Sequence, residues 1–162
     1  MVNNPSFNTT ADWVTDSGST LTAITGNSSK YLPLNTNGTL GDYTTTTYAP
    51  LYGVYMGHVA YSTAANASGG ISTTVYLPYP ANPGQDIVSF ASVRGAEGTF
   101  TISTNNGAGN VVSRTTSIVG HNQYNWTQLW AVHQATGGET SFTLHISVTN
   151  PAAPSTGFTQ SG

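Results

Sequence analysis

Two runs in mid-chain constrain this sequence most. Gly84-Gln85-Asp86-Ile87-Val88-Ser89-Phe90-Ala91-Ser92-Val93-Arg94 is followed by Gly98-Thr99-Phe100-Thr101-Ile102-Ser103-Thr104. Each is rich in β-branched and aromatic residues and bounded by glycine, so each reads as a strand, with a short connection between. Phe100, Ile102 and Thr104 share one face of the second. Later, Phe142, Leu144, Ile146 and Val148 alternate with Thr143, His145, Ser147 and Thr149. Strict alternation over eight residues marks an antiparallel strand with one buried face.

The same reading extends to about eight to ten strands. Val2–Phe7 with Trp13–Thr15, then Ser19–Thr25, Lys30–Leu34 and Leu51–Ser62 form the first half. Ile71–Leu77, Val111–Val119 and Trp126–His133 complete the set. Gly, Pro, Thr and Asn recur too often for a helical apolar stripe. Short strands separated by turns, without helices, predict an all-β fold: an antiparallel jelly-roll β-sandwich. At 162 residues the chain suits one domain. Residues 1–150 are expected to form the sandwich. Pro151-Ala152-Ala153-Pro154 stops the last strand, and residues 151–162 are expected to be an extended C-terminal arm.

Charge excludes several functions. Only 6% of residues are charged, and the net charge is -3. A typical soluble protein has roughly 25% charged residues. Three cations, Lys30, Arg94 and Arg114, cannot neutralise a nucleic acid or anchor to an anionic bilayer. More than a third of the chain is Thr, Ser or Asn, so hydroxyls and amides make the surface soluble in place of charges. There is no cysteine, hence no disulfide or thiol chemistry. The opening Met-Val-Asn-Asn-Pro-Ser-Phe lacks the basic and apolar regions of a signal peptide. No apolar run approaches the roughly 18 residues that span a bilayer.

Several motifs together resemble the carbohydrate-binding-module, or galactose-binding-like, jelly rolls. Asn4-Pro5-Ser6-Phe7 and Trp13 stand where such domains open with an Asn-x-x-Phe strand and a tryptophan. Gly84–Arg94 matches their mid-chain strand, Trp126 opens the penultimate strand, and Phe142–Val148 is the alternating strand that follows. The resemblance spans most of residues 1–150. Two features depart from it. The chain ends in Gly157-Phe158-Thr159-Gln160 without the family's buried Asp, and no aromatic platform aligns, so no ligand residue is carried over. The same fold occurs in phage tail and capsid decoration proteins, and fold alone does not choose a role.

Seven tyrosines, Tyr43, Tyr48, Tyr52, Tyr55, Tyr61, Tyr76 and Tyr79, crowd one third of the chain. A flat apolar ring with a polar tip suits a sugar or a protein interface. Tyr43, Tyr48, Tyr52 and Tyr79 are the candidate partner- or glycan-binding residues. The prolines around Tyr79 would present it rigidly and lower the entropy lost on binding. Tyr55, Tyr61 and Tyr76 are expected to be half-buried strand residues. Trp126 and Trp130, on one alternating face with Gln128 and Val132, are expected to pack in the core.

Catalysis is not expected. His58, His121, His133 and His145 show no metal-binding spacing. Asp12, Asp16, Asp42, Asp86, Glu97 and Glu139 fall in or beside turns, where carboxylates ordinarily cap. No Gly-x-Ser-x-Gly elbow occurs. No cofactor is expected; a structural calcium occurs in related jelly rolls, but no ligand set is assigned here. Five Asn-x-Ser/Thr triplets, at Asn8, Asn27, Asn37, Asn66 and Asn125, are what chance supplies in such a composition.

The sequence thus predicts a non-enzymatic virion structural protein. The favoured form is a phage capsid cement protein, assembled in the host cytoplasm, displayed on the virion surface and bridging major capsid subunits as a homo-oligomer, most simply a trimer. The alternative is a glycan-binding module of a phage tail or receptor-binding protein, or of a secreted enzyme.

Overall fold

The computed structural model describes residues 10–25, 55–62, 64–93, 98–105, 111–118 and 127–153, with backbone alone for 24, 25, 55, 56, 58 and 111–118. Nine strands occupy these residues, and there is no helix among them. In chain order they are β1 (Val14–Thr15), β2 (Thr20–Thr25), β3 (Tyr55–Ala60), β4 (Ser68–Tyr76) and β5 (Asp86–Val93). Then come β6 (Gly98–Asn105), β7 (Val111–Ile118), β8 (Thr127–Gln134) and β9 (Ser141–Thr149). All pairings are antiparallel. One sheet has five strands in the order β1-β4-β9-β6-β7, and β2-β3 and β5-β8 form two-stranded sheets.

The strands on either side of the Arg94–Glu97 connection do not form a hairpin. β5 pairs with β8 while β6 joins the five-stranded sheet between β9 and β7. β8 and β9 are separated in the same way. The chain thus crosses between sheets from β4 through β5 to β6 and again from β7 through β8 to β9, while β2–β3 and β6–β7 pair as sequence neighbours, as in a jelly roll.

The alternation seen in the sequence sets which residues fill the space between layers. Val75 of β4, Phe100 and Ile102 of β6, and Phe142, Leu144 and Val148 of β9 point inward from the large sheet. Val93 of β5 with Leu129 and Ala131 of β8 meet them from the other side. Ile102 and Leu129 are fully buried. The opposing faces interdigitate as in packed sheets.

On the outer face of the large sheet the pattern is hydroxyl-rich. Ser72 of β4 and Ser103 of β6 flank His145 of β9 in one cross-strand row. His145 faces outward, as its place in the alternation requires, but it is half-buried because the β1–β2 turn folds over it. Its Nε2 lies 3.0 Å from both carboxylate oxygens of Asp16. Gly70 makes this approach feasible: a Cβ there would lie 2.5 Å from Asp16 Oδ2 and 2.7 Å from the Ile146 carbonyl.

Where β9 ends, Asn150 ties the β3–β4 connection down. It is buried, and its amide nitrogen donates to the carbonyls of Ser62 (3.0 Å) and Ala64 (2.8 Å). Its Oδ1 accepts from the Tyr61 hydroxyl at 2.7 Å. Beyond it, residues 154–162, most of the expected arm, lie outside the described residues.

Candidate functional site

The β5–β8 ribbon turns one face to the core and the other to solvent. Its register pairs Ile87 with His133, Ser89 with Ala131, Ala91 with Leu129 and Val93 with Thr127 on the inner face. The outer face carries the pairs Asp86–Gln134, Val88–Val132, Phe90–Trp130 and Ser92–Gln128. Phe90 is 61% exposed, Val88 48% and Trp130 37%. Directly opposed residues on neighbouring strands hold their Cβ atoms about 5 Å apart. Phe90 and Trp130 are therefore side by side on one surface, continued by Val88 and Val132 and ended by polar residues on both sides.

This reverses the face expected for Trp130. Both faces of β8 carry apolar residues, so a period of two does not say which is buried. Packing decides it. The large sheet already contributes Phe100 and Phe142, and Leu129, Ala131 and the flat His133 ring fit between them. Trp130 is left on the outer face, opposite Phe90. Trp126 lies outside the described residues.

Exposed aromatic side chains in a contiguous apolar strip mark an interaction surface. Such rings offer their π-faces to polarised C–H groups and exclude water over a wide area. The strip was missed in the sequence because Asp86–Val93 has apolar residues at both phases of its alternation. Phe90 falls out of phase with Ile87, Ala91 and Val93, and that mismatch was the available signal.

Of the sequence candidates, Tyr43, Tyr48 and Tyr52 lie outside the described residues. Tyr79 is 80% exposed. Its loop is rigid for two reasons: Pro78, Pro80 and Pro83 restrict it, and it is laced to the 135–140 loop. Ala81 N–H donates to the Glu139 carbonyl at 2.9 Å, and Gly138 N–H returns to the Ala81 carbonyl at 2.8 Å. Gly84 N–H donates to the Ala135 carbonyl at 2.8 Å, which brings this loop to the Asp86–Gln134 end of the ribbon. Tyr76 is 54% exposed, more open than the half-buried position expected for it. Tyr61 is part-buried as expected, and burial raises its phenol above the ordinary value of 10.0.

Two histidine–carboxylate pairs occur among the described residues. Asp16 and His145 form a partly exposed pair. Ser72 and Ser103 flank the imidazole in register, yet no hydroxyl hydrogen bond to His145 completes a triad among the described residues. His133 is fully buried, stacked on Phe142 with ring centroids 4.6 Å apart and planes within 8°. Its Nδ1 lies 3.2 Å from Thr104 Oγ1. Its Nε2 stands 3.7 Å from Glu139 Oε1, which is already held by the Thr136 N–H and hydroxyl. Enclosure of this kind suits packing of the ribbon onto the sheet and leaves no room for a substrate. Among the described residues, no group of three or more His, Asp or Glu could hold a metal ion.

No family model and no curated protein matches the sequence. Solved structures do match the fold. A carbohydrate-binding module, TmCBM61, in complex with β-1,4-galactotriose superposes with a TM-score of 0.56 and 18% identity, covering 94% of this chain and 88% of its own. The fold is a carbohydrate-binding-module-like jelly roll. An arabinose-bound α-L-arabinofuranosidase, MgGH51, matches with a TM-score of 0.57 and 16% identity over 99% of this chain and 24% of its own. The enzymatically active domain of tailspike protein 4 from bacteriophage CBA120 matches with a TM-score of 0.54 and 16% identity, over 92% of this chain and 19% of its own. The fold thus recurs in a carbohydrate-binding module, in part of an arabinofuranosidase and in part of a phage tailspike domain.

Proposed function

We propose that this chain is a non-catalytic glycan-binding module that works outside the cell that makes it, on a phage tail or receptor-binding protein or beside a secreted carbohydrate-active enzyme. The observation that carries the proposal is the exposed Phe90–Trp130 pair on the outer face of the β5–β8 ribbon. Paired rings on a strand surface present a water-excluding floor to the C–H face of a sugar, and flanking glutamines offer both donors and acceptors to its hydroxyls. The likeness to a module bound to β-1,4-galactotriose supports the reading at the level of fold. Capsid cementing rests on sequence features, the charge-poor composition and the Pro/Gly-rich tail among them, whereas the strip adds a feature that favours a ligand with apolar faces and many hydroxyls.

The test is affinity electrophoresis of the purified chain through gels cast with polysaccharides, beginning with β-1,4-galactan, arabinan, β-glucan and mannan. Retardation in at least one gel is expected, lost in Phe90→Ala and Trp130→Ala. Equal mobility of the wild-type chain in every gel contradicts the proposal.

A further inference from the structure

We infer that the strip takes the interior of a neutral glycan chain laid along the two strands, and that Asp86 and the two glutamines set this preference. The inference rests on the glycan-binding reading and narrows it to a class of ligand.

The first ground is shape. The outer face of the ribbon holds four cross-strand rows, from Asp86–Gln134 to Ser92–Gln128. Rows on one face are two residues apart, so at about 3.3–3.4 Å per residue the strip is roughly 20 Å long. Its width is one strand spacing, about 5 Å. This footprint is several times longer than it is wide. A ligand that fills it is extended and follows the strands. Chain-end recognition needs walls around terminal hydroxyls, but Asp86, Gln134 and Gln128 at the two ends are exposed. These three side chains therefore wall off neither end.

The second ground is chemistry. Gln128 and Gln134 stand at opposite ends of the strip, on either side of the Phe90–Trp130 pair, as the first and last of the four outer positions of β8. Each side-chain amide has one acceptor oxygen and two donor hydrogens, which match the neighbouring hydroxyls of a neutral sugar. Asp86 only accepts, and it stands in the row with Gln134. A repeating carboxylate or sulfate would meet that charge and find few cations to offset it, because the whole chain has three. One charge pair at contact distance in water is worth about 1 kcal/mol, so Asp86 alone disfavours an acidic unit about fivefold.

The experiment extends the gels to two acidic polymers, polygalacturonate and hyaluronan, at low salt. The wild-type chain is expected to be retarded by a neutral polymer and not by either acidic one. Gln128→Ala and Gln134→Ala, at opposite ends, should each weaken the neutral interaction about two- to tenfold, the range for one lost hydrogen bond. Asp86→Lys should gain retardation by polygalacturonate, and added salt should remove that gain. The matching monosaccharide, added as competitor, should leave mobility unchanged at concentrations where an oligosaccharide restores it. Stronger retardation by an acidic polymer overturns the inference, as does competition by the monosaccharide equal to that of the oligosaccharide. So does an effect at only one of the two glutamines. Each of these leaves glycan binding standing. Loss of retardation in all gels contradicts the glycan-binding reading itself.

Discussion

Replacing Asn150 by alanine should destabilise the domain by about 2–3 kcal/mol while leaving the ribbon surface untouched. The side chain makes three hydrogen bonds: to the Ser62 and Ala64 carbonyls and from the Tyr61 hydroxyl. A net hydrogen bond contributes about 1 kcal/mol, and a partner left unsatisfied in a buried place costs more. Ser62 and Ala64 are exposed, so water can take over at their carbonyls, and this holds the sum near 3 kcal/mol rather than above it. Tyr61→Phe removes only one of the three bonds and should cost about 1 kcal/mol. In the double variant the two costs should fall short of additivity by about 1 kcal/mol, because both substitutions break the same bond. Urea unfolding followed by tryptophan fluorescence at neutral pH measures all three. In a chain of this size each kcal/mol moves the melting temperature by roughly 2–4 °C. A cost below about 0.5 kcal/mol for Asn150→Ala, the level of an ordinary surface change, refutes the claim that Asn150 pins the β3–β4 connection. Strict additivity refutes the bond to Tyr61.

Other outcomes follow from the same contacts. Burial raises the Tyr61 phenol above its unfolded value of 10.0. Its contribution to stability is therefore whole below about pH 10 and falls as pH rises through the folded value, so alkaline unfolding should come later in Tyr61→Phe when each is compared with its own neutral-pH stability. Leu129→Ala, at a fully buried position, should cost about 2–5 kcal/mol by urea titration, whereas Phe90→Ala on the outer face of the same ribbon should cost less than about 1 kcal/mol. Gly70→Ala should break the Asp16–His145 contact and push β4 from β9, seen as a shifted His145 imidazole resonance and a lower melting temperature. Tyr79→Ala, at a loop position 80% exposed, should stay within about 0.5 kcal/mol of the wild-type stability.

The strands that the sequence made plain are those with one polar face. β4, β6 and β9 alternate hydroxyls with aliphatics, and water and core select opposite sides without ambiguity. β5 and β8 have apolar residues in both phases, and there the decision belongs to the partner sheet, which local pattern does not contain. The alternation of β8 alone puts Trp130 on the core face as readily as on the outer one, and the strip it forms with Phe90 cannot be read from it. The layer exchange between β5 and β6 is equally non-local, because a four-residue connection suits a hairpin and a crossover alike. Asp16 and His145 meet across 129 positions, and Tyr61 and Asn150 across 89. Such pairs become legible only when the sheet order is known. Composition proved a sound guide to what the surface is made of, since the outer face of the large sheet is built largely of serine and threonine.

The Phe90–Trp130 surface is proposed to bind glycan. The most direct measurement is the mobility of the wild-type chain, Phe90→Ala and Trp130→Ala in gels with and without neutral polysaccharide, each first shown to unfold cooperatively in urea. Retardation of the wild-type chain by one polymer, abolished in both folded variants, is expected. Unchanged retardation in the variants, or no retardation of the wild-type chain by any polymer, contradicts it.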